Sequence, residues 1–322
     1  MRKPFLLLGM LLLMQQFVAQ QPNAHFASNT SQSMEQFFSS ASHLIRTNFI
    51  SFHLNGGLIF FKAKLNGVSE TFVLDTGSPG LLINERVNQK TENSFSAVGV
   101  SGGLHFQKEY GNTFEMGETL CADVHTLCTN LSHLEKVKSQ RFKGMVGHEL
   151  LKNNEVVLDY KNKQMGLLEG GAKEEVSGYY RSSSVPIDFQ QHFAVIKVKI
   201  GRKTYHFGLD TGAEVNIIDA DIARWLPNRL FEITEKIKIR GVSKKGIGTK
   251  VGEISNCEIA GKKVEGMEFV LMDMDVLNEG RNLELDGLLG FPFLSSELFS
   301  IDYVSELLHV WKAEEEALAK KQ

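Results

Sequence analysis

The sequence predicts a chain of short strands arranged as two lobes related by a pseudo-twofold axis. Three observations lead there. Beyond about residue 42, apolar residues alternate with polar ones, glycine is frequent and helix-like stretches are short, a pattern of strands with one face turned inward. Landmarks of the first half recur in the same order in the second. The copies meet in residues 170–184, where Gly170-Gly171, Gly178 and Ser182-Ser183-Ser184 give the composition of a boundary.

At the N-terminus, Arg2 and Lys3 precede an apolar run from Phe5 to Met14, and polar residues resume at Gln15-Gln16. That order is the one a secretory signal peptide shows, and the run is too short to span a bilayer. Residues 1–19 are therefore expected to be a signal peptide, cleaved after Ala19, and the protein to be exported, to the periplasm or outside the cell. No later stretch is long and apolar enough to serve as an anchor once the signal is removed. Residues 20–52, rich in Ser, Gln and Asn at their start, are expected to be a linker or short pro-segment. The 322 residues are 42% apolar and 23% charged, with a net charge of −3. This is the balance of a soluble globular chain with no electrostatic reason to bind nucleic acid.

The strands Phe60–Leu65 and Ala194–Ile200 open the two copies. Thr71-Phe72-Val73-Leu74-Asp75-Thr76-Gly77-Ser78 resembles His206-Phe207-Gly208-Leu209-Asp210-Thr211-Gly212-Ala213, at an offset of 135. An apolar strand follows each, Leu81–Asn84 and Asn216–Asp219. Gly99-Val100-Ser101 recurs as Gly241-Val242-Ser243 at an offset of 142, and Gly144-Met145-Val146-Gly147 as Gly287-Leu288-Leu289-Gly290 at 143. Leu151 and Asp159-Tyr160 keep that last offset to Leu294 and Asp302-Tyr303. The growth in offset falls on a helix-like insertion, Asp221 to Leu230, which carries Trp225. Two copies make a pair of lobes rather than a solenoid. They are expected at 53–172 and 186–314, with an interlobe linker at 173–185 and a charged tail at 315–322.

One Asp-Thr-Gly occurs by chance in a chain this long on the order of one time in twenty, and alone it reads as a turn. Two copies, each after a strand and at the same place in a repeat, are not explained that way. Packed about a twofold axis, they bring Asp75 and Asp210 together from opposite sides. Carboxylates that close share one proton. Such a pair can take a proton from a water attacking a carbonyl and return one to the leaving nitrogen. Gly77 and Gly212 allow the sharp backbone turn. Ser78, where the second copy has Ala213, has a hydroxyl expected to bond Asp75, which would leave the shared proton mainly on Asp210.

At these residues the chain resembles the retropepsin-type aspartic proteases of the pepsin/retropepsin superfamily, with both halves in one polypeptide. The resemblance covers roughly residues 53 to 312. It implies a mostly β fold of two retropepsin-like β-barrel lobes with an active-site cleft between them. It implies catalytic Asp75 and Asp210, supported by Thr76, Gly77, Ser78, Thr211, Gly212 and Ala213, the two threonines interlocking hydroxyl to backbone. It also implies Gly-bearing flaps, at Gly99, Val100, Ser101, Gly102 and Gly103 and at Gly241, Val242 and Ser243. The expected activity is endopeptidase cleavage of a polypeptide substrate by a monomer, with no metal or cofactor. A silent peptide-binding module of the same fold, or a peptidase acting only on its own chain, are the rival readings. The second flap differs from the first in carrying Lys244-Lys245. Tyr110 lies beyond the Gly-rich segment and is given no flap role.

Cys121, His125, Cys128 and His133 have spacings that zinc could use. They fall where the repeat predicts ordinary strand and loop, so a local disulfide or buried thiols are preferred. No His-Glu-x-x-His occurs, which removes the usual signature of a zinc peptidase.

Overall fold

The computed structural model describes residues 5–6, 42–44, 48–85, 94–99, 102–171, 176, 178–240, 247–278 and 283–313. The expected signal peptide lies outside them except at Phe5–Leu6, and the charged tail lies wholly outside. Among the described residues the fold is mostly β, in sheets of 14 and 11 strands.

In the first half the strands that frame the site are β1 (Asn48–Asn55), β2 (Leu58–Leu65), β3 (Val68–Leu74), β4 (Leu81–Asn84), β5 (Gly102–Met116) and β6 (Thr119–Thr129). Helix α1 (Ser132–Lys138), β7 (Gly144–Val146), α2 (His148–Leu151), β8 (Asn154–Asp159) and β9 (Gln164–Glu169) follow. The second half runs β10 (Tyr179–Pro186), β11 (Phe193–Ile200), β12 (Lys203–Leu209), β13 (Asn216–Asp219), α3 (Ala220–Trp225), β14 (Phe231–Arg240) and β15 (Ile247–Ile254). It ends with β16 (Met267–Met272), β17 (Gly287–Leu289), α4 (Phe291–Leu294), β18 (Leu298–Asp302) and β19 (Leu307–Ala313).

The repeat in sequence is a repeat in construction. Strands β3 and β12 have the same burial along their 7 residues, exposed at the hairpin end and buried over the last three. Those last three, Phe72-Val73-Leu74 and Phe207-Gly208-Leu209, are clamped from the side by a parallel strand. Met145 lies opposite Val73 across β7, and Leu288 opposite Gly208 across β17. Both β7 and β17 also pair antiparallel with the strand after the Asp-Thr-Gly turn, β4 or β13. Each aspartate thus leaves a strand held on both sides. The recurring Asp-Tyr closes a turn in both copies: Asp159 Oδ1 accepts from the amide of Asn162 at 2.8 Å and Asp302 Oδ1 from that of Ser305 at 3.0 Å.

The halves are joined by backbone as well as by side chains. β8 runs antiparallel to β18, with Glu155 opposite Asp302 and Leu158 opposite Phe299. One core cluster draws Phe61 and Phe72 together with Phe207, Phe269 and Phe299. Each such buried ring contributes about 1.5–3 kcal/mol of transfer free energy, so the halves stabilise one another.

Two boundaries read from sequence move. Residues 173–185 were expected to be linker, but β10 occupies 179–186 and pairs with β19, Tyr179 opposite Ala313 through Pro186 opposite Leu307. Its serines sit in a strand whose residues alternate between exposed and half-buried, a setting small polar side chains tolerate. The linker or pro-segment was set to end at 52, yet β1 begins at Asn48 and buries Ile50 and Phe52. The alternation of Phe49 to Leu54 is what makes it a strand.

Candidate active site

Asp75 and Asp210 follow directly on β3 and β12, and their amides donate to the carbonyls of Val146 at 2.9 Å and Leu289 at 3.0 Å. The chain then turns in both copies, the amides of Ser78 and Ala213 bonding back to the Asp75 and Asp210 carbonyls. The threonines cross between the halves. Thr76 Oγ1 donates to the carbonyl of Leu209 and accepts from the amide of Thr211. Thr211 Oγ1 does the same with Leu74 and Thr76, and all four bonds are 3.0 Å long. Being buried and reciprocal, they fix one loop against the other.

The glycines bring the carboxylates close. A Cβ on Gly77 would lie 2.8 Å from Cγ of Asp210, and one on Gly212 would lie 2.4 Å from Oδ1 of Asp75. Any side chain at either position collides with the opposite aspartate. The next glycines act in the same way one layer out: a Cβ on Gly147 would meet the Ser78 carbonyl at 2.1 Å and one on Gly290 that of Ala213 at 2.5 Å.

Both aspartates are fully buried. As two ionised groups they have no donor between them, and both oxygens of Asp75 and Oδ2 of Asp210 lack a partner. Asp210 Oδ1 accepts from the Gly212 amide at 2.8 Å. A proton on Asp75 supplies the missing donor, bonding Asp75 to Asp210. Burial, the Asp210 charge and that bond hold the Asp75 carboxyl well above the ordinary carboxylate range. Burial also pushes Asp210 up, to about 6, against the pull of the Gly212 amide and of Asp75. The Gly212 amide favours the charge on Asp210, so the proton the pair shares is drawn toward Asp75. Ser78, expected to bond Asp75, donates instead to the Gly80 carbonyl at 3.3 Å.

Of the expected flap residues, Gly99 lies opposite Gly102 at the end of the hairpin between Ser94–Gly99 and β5, with Gly103 beside them opposite Val98. Val100, Ser101, Gly241, Val242 and Ser243 lie outside the described residues. The last three fall between β14 and β15, where Ile239 pairs with Ile247.

Cys121 and Cys128 are buried free thiols on one strand, β6. Seven residues of strand separate them by roughly 20 Å, beyond a disulfide or a shared ion. Among the described residues, Cys121, His125, Cys128 and His133 do not gather as a metal-binding group. Burial pushes the Cys121 thiol up to about 12.

Two features of the site carry no motif. His192, buried at the start of β11, places Nε2 3.1 Å from the carbonyl of Gly77, so the second half reaches the first aspartate loop. Glu214, next after Ala213, forms a buried ion pair with Lys138 at the end of α1. Lys138 is tied there by Asn55, whose Nδ2 donates to its carbonyl at 3.0 Å and whose own carbonyl lies 3.4 Å from Nζ. A Cβ on Gly56 would strike Glu214 Oε1. The sequence signal was slight: an acid after one Asp-Thr-Gly copy where the other has Pro79.

The site is thus a pair of buried carboxyls set on two matching turns in a mostly β fold. In the comparison with family models, residues 196–293 match the one described as Aspartyl protease. The matched stretch runs from within β11 into α4 and contains the second Asp-Thr-Gly; it supports an aspartyl protease family. No curated protein matches the chain.

Proposed function

We propose that the protein is an aspartic endopeptidase that hydrolyses peptide bonds with a water activated between Asp75 and Asp210, on polypeptide laid across the cleft between its halves. The observation that carries this reading is the pair of fully buried carboxyls on matching turns, so close that a Cβ on Gly77 would touch Asp210 and one on Gly212 would touch Asp75. Asp210, as the ionised partner, takes a proton from water as the oxygen attacks the carbonyl carbon. Asp75 gives its proton to the carbonyl oxygen. The tetrahedral diol collapses when Asp210 passes its proton to the leaving nitrogen and Asp75 recovers one from the diol hydroxyl. The dyad ends as it began.

The flaps expected at Gly99–Gly103 and Gly241–Ser243 would close over the substrate and exclude water. We read the lobes in this scheme as opening with β1 at Asn48 and with β10 at Tyr179, the protein as a monomer, and residues 1–19 as the signal that exports it.

Asp75→Asn and Asp210→Asn are each expected to abolish cleavage of a diverse peptide library, and the double variant to be little worse than either, because the two act as a unit. Substantial turnover by either single variant in a pure preparation would sink the assignment.

A further inference from the structure

The helical insertion that distinguishes the second half builds a groove of its own. Helix α3 and the chain after it, through Leu230, face the β11–β12 turn across a cavity of about 670 Å³, within the range of roughly 300–1,000 Å³ usual for binding clefts. Its floor is aliphatic. Ile200 is buried there, and Leu230 packs so closely on the turn that a Cβ on Gly201 would lie 2.7 Å from its Cδ1. Tyr205 forms one wall, and Trp225, 82% exposed, stands at the rim.

The rim is cationic. Arg202, Lys203 and Arg229 line it, and among the described residues none of them enters an ion pair. The carboxylate at the same edge, Asp221, is engaged by Arg224 at 3.0 Å. The fold does not demand this arrangement. At the matching turn of the first half, 135 residues earlier, Gly67, Val68 and Glu70 stand where Arg202, Lys203 and Tyr205 do. An exposed indole beside an apolar floor is costly to leave in water, and Trp and Arg are among the residue types that dominate interface energies.

We propose that this groove binds an acidic polypeptide segment, seating an aliphatic or aromatic side chain on the Ile200–Leu230 floor under Trp225 while flanking carboxylates bond Arg202 and Arg229. Carboxylates match the unpaired guanidinium groups in charge and in planar geometry. A peptide suits a concave site with a floor, whereas a bilayer needs its anchoring residues to protrude. The groove stands apart from the aspartate turns, and peptide binding to it does not depend on hydrolysis.

The chain has 2 tryptophans, and the other, Trp311, is 2% exposed, so emission changes report on Trp225. The test uses the full chain carrying Asp75→Asn. The probe is an end-blocked hexapeptide with a leucine–phenylalanine pair between two pairs of glutamates; its control has lysines for the glutamates. The glutamate peptide is expected to shift Trp225 emission to the blue saturably, with affinity falling as salt rises from about 50 to about 300 mM. Arg202→Glu combined with Arg229→Glu, both at exposed positions, is expected to raise Kd at least tenfold by titration calorimetry, and Lys203→Glu to raise it less. Equal binding of the lysine peptide would overturn the proposal. So would an unchanged Kd in the charge-reversal variant, which would place the peptide elsewhere, for instance between the halves. Uptake by phosphatidylserine vesicles with no response to the peptide would overturn it in favour of a lipid surface.

Discussion

Asp75 and Asp210 occupy matching turns but are not equivalent. The Gly212 amide donates to Asp210 Oδ1 and favours its charge, while Ser78 spends its hydroxyl on the Gly80 carbonyl. In the proposed mechanism hydrolysis needs Asp210 ionised and Asp75 protonated. As pH falls through about 6, Asp210 takes up a proton, so kcat/KM is expected to fall about tenfold per unit below that point. As pH rises past the higher value of the pair, Asp75 loses its proton and activity falls again. The values belong to the pair and will appear as two limbs of one profile. Ser78→Ala is expected to leave the acid limb in place, since no bond from Ser78 reaches Asp75; a shift of half a unit or more in a kcat/KM profile would contradict this. The two aspartates were legible because a repeated motif forces a symmetric placement. The proton's owner was not, because a hydroxyl's partner is settled by a turn of a few degrees that Ser against Ala does not reveal.

Among the elements, the aspartate loops are held by a threonine cross-link and by a strap that only one loop has. The cross-link was expected from the resemblance to retropepsin-type proteases, carried by the two Asp-Thr-Gly copies. The strap was not: Lys138 and Glu214 lie 76 positions apart, and nothing in either's surroundings names the other. The boundary at β10 was equally hidden, since Gly and Ser composition marks a turn and an edge-like polar strand alike. Removing one partner of a buried ion pair leaves an uncompensated charge and costs about 3–5 kcal/mol. Lys138→Met is expected to destabilise by that amount in urea unfolding, through the isolated Glu214. Lys138→Met with Glu214→Gln is expected to recover most of it, because the charge left behind is gone. A double variant as unstable as Lys138→Met alone would show that Lys138 acts through its packing and its contacts with Asn55 rather than through Glu214.

Across the whole molecule, the dyad is a charge problem that folding creates. Buried carboxyls with raised values bind protons in the folded chain at pH values where the unfolded chain has released them. Where the folded state holds more protons, stability falls as pH rises, so the dyad's contribution is most favourable near pH 4 and is lost as pH climbs through about 6 and beyond. Other buried groups titrate too. Glu155 and Asp286 are raised by burial and act in the same direction. His148, lowered by burial to about 4, acts oppositely, since acid favours the unfolded chain in which it charges freely. A parent profile alone therefore mixes signs, and only a difference isolates the dyad. Asp210→Asn is the suitable variant: the amide oxygen can keep the Gly212 bond, and the repulsion with Asp75 disappears. A rise from 3.8 to about 6 corresponds to roughly 3 kcal/mol at 1.36 kcal/mol per unit. Urea unfolding of both proteins is expected to show them within about 0.5 kcal/mol at pH 4, and the variant ahead by roughly 3 kcal/mol at pH 8, where it cleaves nothing. This is the trade between stability and activity expected of a strained site. A gap that is absent, or that does not widen between pH 4 and pH 8, would mean that the two carboxylates are not held together at the folded chain's expense.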